Sequence, residues 1–142
     1  MKTAKKTALF CLGGGAYVTV ELLFRGYSHV SMFLAGGTCF LFLGRLRRLP
    51  RSPGTKLLLG AGIITAVELM TGLLVNRSFT VWDYRDQPGN FLGQICPLFT
   101  AAWVPVSAAA MGLYRLGEGL WDRAELRMRS RFLPEARGPA GS

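Results

Sequence analysis

Leu57-Leu58-Leu59-Gly60-Ala61-Gly62-Ile63-Ile64-Thr65-Ala66-Val67-Glu68-Leu69-Met70-Thr71-Gly72-Leu73-Leu74-Val75 carries one charged side chain. As a helix this stretch is roughly 28 Å long, the thickness of a bilayer's hydrocarbon core. Only a helix pairs all of its backbone groups within one such segment. Three more runs of the same kind occupy residues 7–24, 31–43 and 91–114 of the 142-residue chain. The second is short and reaches a spanning length only as 28–45, with the residues before it dipping into the membrane surface. The expected fold is an all-α membrane protein of four transmembrane helices, about 7–24, 28–45, 57–75 and 91–114, forming a single domain over 1–114.

Charge orients the helices. The formal net charge of +9 could point to nucleic acid, but the placement of the basic residues argues against such a partner. Lys2, Lys5 and Lys6 precede the first run; Arg45, Arg47, Arg48, Arg51 and Lys56 separate the second and third; Arg115, Arg123, Arg127, Arg129, Arg131 and Arg137 follow the fourth. Only Arg25, Arg77 and Arg85 fall in the other two connections. The positive-inside rule then expects both termini and the middle loop in the cytoplasm. A cleaved signal peptide fits the first run poorly, because Glu21 and Arg25 stand where a small-residue cleavage site belongs. Cys11, Cys39 and Cys96 each lie in an apolar run with no paired spacing, so they read as small fillers.

The chain contains an internal echo. Gly15 precedes Glu21-Leu22 by the same interval at which Gly62 precedes Glu68-Leu69. Phe33-Leu34-Ala35-Gly36-Gly37-Thr38-Cys39 is similar to Phe91-Leu92-Gly93-Gln94-Ile95-Cys96 with one gap, and Leu-Phe follows each after one residue. A duplicated hairpin predicts two parallel two-helix repeats about an axis along the membrane normal, with Glu21 and Glu68 as mates. Chance recurrence of Gly, Leu and Phe is the alternative. Beyond Tyr114, the four-residue steps Leu116, Leu120, Ala124 and Met128 with arginines on the other faces predict a cytoplasmic amphipathic helix over 115–133, lying in the interface or docked on a soluble partner. Residues 134–142 read as a disordered tail.

Ionisable residues inside a membrane helix are the first candidates for function, since each costs about 2.5–3.5 kcal/mol on insertion scales. Glu21 shares a helix face with Tyr17 and Arg25, which can neutralise it. Glu68 has no basic residue within a turn. His29 stands where the chain must reverse, as a turn residue or a proton-coupling group. Trp82 and Tyr84 suit an interfacial aromatic belt, while Asp83 between them can attract a cation. Asn90 ends this segment, and Gln94, Pro97 and Pro105 make the fourth helix irregular. The candidate solute-binding set is therefore Glu21, Arg25, His29, Glu68, Trp82, Asp83, Tyr84, Asn90 and Gln94. The metal-ligand spacing Glu-x-x-His and the nucleotide-binding glycine-lysine loop are both missing from the sequence, so neither a metal nor a cofactor is expected.

Glu21-Leu22-Leu23-Phe24-Arg25-Gly26-Tyr27-Ser28-His29-Val30-Ser31-Met32, with Gly36-Gly37 beyond it, resembles the bacterial family labelled ABC-transporter type IV, or CmpB-like. Trp82-Asp83-Tyr84, Pro88, Asn90 and Gly93-Gln94-Ile95 are similar to its second signature. The resemblance covers the first through the fourth run. It implies a permease of the inner membrane, with any ATPase subunit on another chain. Three classes remain open: a transporter that binds a small cationic or polar solute, a membrane enzyme using the same Glu, His and Arg groups, and an accessory subunit. Four helices leave little room for a pore, so a homodimer is expected.

Overall fold

The computed structural model describes residues 2–133; the expected tail at 134–142 lies outside the described residues. All regular structure in them is helical: α1 (Lys2–Arg25), α2 (Val30–Leu46), α3 (Pro53–Val75) and α4 (Pro97–Phe132). α1, α3 and α4 are long and apolar enough to cross a membrane, whereas α2 is shorter. The all-α membrane class expected from hydropathy is therefore found.

Local chemistry sets the helix ends. Gly26, at φ 77°, takes the left-handed conformation that closes α1, and its N–H bonds Leu22 O at 3.0 Å. His29 caps α2 by accepting from the Ser31 N–H at 3.2 Å. Ser52 caps α3 in the same manner through Thr55, and Pro53 occupies the first turn, where its missing N–H costs nothing.

α4 corrects two expectations. It begins at Pro97 rather than at residue 91, because Leu92 and Gly93 both have positive φ and the backbone turns tightly through a Phe91–Ile95 bridge. Gln94 is consequently a loop residue. α4 then continues unbroken through Tyr114 to Phe132, so the segment from 115 is an extension of the fourth helix and not a separate element. At helical rise α4 is about 54 Å long, well beyond a core of about 30 Å. Phe33–Cys39 is helical while the similar stretch 91–96 is not, so the two copies of that pattern have different conformations.

α1 packs along α2, α3 packs along α4, and α2 touches both α3 and α4. Glycines permit the close approaches: the Phe40 ring lies over Gly13, the Phe10 ring over Gly37, and the Tyr114 ring over Gly44. Between α3 and α4, Ser107 fits against Gly60. The two ends of the bundle differ in kind. At one end Lys5, Arg47 and Arg48 converge on Glu118, tying α1, the α2–α3 connection and α4 together. At the other, residues 76–96 fold into a compact cap.

Candidate functional site

α3 carries Glu68 two turns before its end, where it is 7% exposed. Tyr84 Oη donates to Oε1 at 2.9 Å and Trp103 Nε1 donates to Oε2 at 3.1 Å. No basic nitrogen lies within 4 Å of this carboxylate among the described residues. Two neutral donors thus orient Glu68, and neither brings an opposite charge to it. Each donor is itself held: the Tyr84 ring stacks on Phe99 at 4.6 Å, and Trp103 leans against Tyr17 at 6.4 Å. Burial, and then the Glu68 charge, push the Tyr84 phenol up from its ordinary value, so it stays a proton donor at neutral pH.

Glu21, also 7% exposed, is treated differently. Ser28 donates to it at 2.8 Å and the Arg25 guanidinium stands 3.6 Å away. The pairing follows from the four-residue spacing on one helix face. Arg25 also donates to Val81 O at 3.3 Å, and Tyr27 reaches the same carbonyl at 3.4 Å. The end of α1 is thereby fastened to the cap. Tyr17, Glu21, Arg25 and Tyr84 all lie within electrostatic reach of Glu68 or of one another.

The cap is built on Asn76, which is fully buried. Its Nδ2 donates to Trp82 O at 2.7 Å and to Gln94 Oε1 at 3.1 Å, and its Oδ1 accepts from Val81 N at 2.9 Å. Gln94 returns a hydrogen bond to Asn76 O, and Trp82 Nε1 donates to Gln94 O at 3.0 Å. Trp82 and Tyr84 are therefore interior residues of a folded cap, not an exposed aromatic belt; Val81, Met32 and Cys96 complete that core. Asn90 shapes the turn, its amide bonding Arg85 O and Gln87 O and its carbonyl accepting from Gly93 N.

Two expected members stand apart from this cluster in their bonding. Asp83 is exposed and paired with Arg85 at 2.7 Å, whose hydrogen bonds hold the Asp83 carboxyl below the usual carboxylate value. His29 is exposed and its ring is engaged with Ser31 Oγ at 2.7 Å, the position of a helix cap. Sequence reading missed Asn76, Ser28 and Trp103 as site residues. Trp103 carries the one readable signal, an indole N–H in the middle of an apolar run that must find an acceptor.

Below the cap, a cavity of about 300 Å³ lies among all four helices. Its wall is almost wholly apolar, with Ile64, Val67, Val106 and Ala110 beside the rings of Tyr17 and Trp103, and among the described residues Glu68 is its single ionisable carboxylate. Val20 and Val106 on its border are exposed, so the cavity reaches the surface of the bundle. An apolar chamber with one carboxyl group and aromatic faces is suited to an organic cation: the ionised carboxylate supplies the counter-charge when the cation enters, and the rings supply cation–π contact.

The family described as "Putative ABC-transporter type IV" matches residues 10–124, which include most of α1, all of α2 and α3, the cap and most of α4. The chain belongs to this family. Every candidate residue of the chain, from Glu21 to Gln94, falls within the matched span, as do Asn76 and Trp103. Among curated proteins and among solved structures, nothing matches it. The family name relates the chain to ABC transport in a membrane.

Proposed function

We propose that this protein is a small permease-like membrane protein that binds an organic ammonium ion in the cavity beside Glu68. The observation that carries the reading is a buried carboxylate, held by two neutral donors and, among the described residues, free of any basic partner within 4 Å, at an otherwise apolar cavity of about 300 Å³. Such a volume suits one small amphiphile. In this reading α2 crosses the membrane with the other three helices, both termini and the α2–α3 connection face the cytoplasm, and the cap lies outside an inner membrane. The duplicated hairpin supplies one acidic residue per copy: Glu21, already paired with Arg25, orders the cap, and Glu68 meets the solute. A homodimer and an ATPase on a separate chain would complete a transport machine; the Glu118 end faces the side where that ATPase would bind.

An accessory role is the second reading, and one observation favours it. Both Glu68 oxygens already have donors, so the residue could serve only to fasten the cap to the bundle. Binding of benzyltrimethylammonium to the protein in lipid nanodiscs, followed by flux of the same ion into proteoliposomes, separates the two. Saturable binding that weakens at least about tenfold in Glu68→Gln supports the solute site. Binding without flux leaves a receptor or accessory role. Absence of saturable binding by this ion or by a series of smaller and larger ammonium ions would sink the proposal.

A further inference from the structure

A second cavity, about 270 Å³, opens at the basic end between α1 and α2, with the Tyr114 ring of α4 in its wall. Lys6 and Arg45 stand on it above Phe10, Leu41 and Phe42. Their chain neighbours are neutralised: Lys5 is paired with Asp122 at 2.7 Å and Arg47 with Glu118 at 2.8 Å. Lys6 and Arg45 form no ion pair among the described residues. The fold thus takes two of four adjacent cations into its own network and leaves two facing one groove.

We infer that this groove is a binding site for one anionic phospholipid, its phosphate between Lys6 and Arg45 and its acyl chain along Phe10 and Phe42. The charge is complementary, and the order of groups is the order within a lipid: cations at the helix ends, apolar rings toward the centre. Phe42 is 47% exposed, the surface an acyl chain would cover. Long basic side chains at helix ends sit at headgroup level, and basic pockets between transmembrane helices hold anionic headgroups. The site is independent of Glu68 and of any solute there.

Native mass spectrometry of the detergent-solubilised full chain, titrated with phosphatidylglycerol and with phosphatidylcholine, tests it. Wild-type protein should prefer the anionic lipid at least about tenfold, and K6Q/R45Q should lose that preference, about fivefold per charge. K2Q/R51Q removes two exposed basic residues outside the groove and should keep the preference. If K6Q/R45Q does not fold, K6Q alone should show its fivefold share. Equal binding of both lipids, or equal losses in the two double variants, would overturn the proposal in favour of diffuse surface attraction. Displacement of phosphatidylglycerol by an equal concentration of glycerol phosphate would also overturn it, marking a soluble-anion site.

Discussion

Glu68 and Glu118 are both largely buried carboxylates, and the protein handles them in opposite ways. Glu118, with a side chain 14% exposed, accepts from Arg47 and Arg48 and has Lys5 at 3.5 Å. Three cations from two parts of the chain meet there, so its charge is spent on joining α1, the α2–α3 connection and α4. Among the described residues, Glu68 has only a phenol and an indole. Its geometry is fixed by neutral groups, beside a chamber that can take a guest. A carboxylate ringed by its own protein's cations is a rivet; one ringed by neutral donors at a cavity is a receptor for charge from outside.

The largest expected effect tests what holds the receptor together. Asn76→Leu removes the buried amide that organises the cap and strands several backbone groups, so it should destabilise the protein by about 3–5 kcal/mol. Unfolding in mixed micelles measures this. Cation binding should fall with it, since Tyr84 and Trp82 belong to the same cap. Retained binding in a destabilised Asn76 variant would separate the cradle from the cap and weaken the contrast.

Next in size is the rivet. Glu118→Gln leaves Lys5, Arg47 and Arg48 facing one another and should cost about 1–2 kcal/mol, discounted for partial solvent screening. The loss should shrink as salt is raised, because the remaining repulsion is screened. Cation binding in the cavity should not change. Smaller again, Tyr84→Phe removes one neutral donor from Glu68 and should cost about 1 kcal/mol of stability. It should leave cation affinity within a few-fold, because the carboxylate and the aromatic wall persist. Asp83→Asn should leave the same melts unchanged, its pair being an exposed one.

Much of the architecture was legible because hydrophobic length and charge placement are properties of contiguous sequence. α1 and α3 extend through their apolar runs, and the Glu21–Arg25 pair follows from one four-residue interval. The start of α4 was not legible. Residues 91–96 are apolar enough to continue a helix, and only positive φ at Leu92 and Gly93, with Pro97 after them, shows why they do not. The partners of Glu68 come from 16 and 35 residues away and join it only through tertiary packing. Trp82 and Tyr84 have the composition of an interfacial belt; what removes them from the surface is Asn76, a single polar residue at the end of α3 that nothing in its local pattern marks as a hub. The family resemblance read in residues 21–32 and 82–95 falls inside the matched span.

The most direct measurement compares two ligands of one shape at one site. Benzyltrimethylammonium and its uncharged carbon isostere, neopentylbenzene, should be titrated into wild-type, Glu68→Gln and Glu118→Gln protein in nanodiscs. The account predicts that wild type and Glu118→Gln prefer the cation at least about tenfold and that Glu68→Gln loses this preference while still admitting the neutral compound. A cation preference that survives in Glu68→Gln would contradict it.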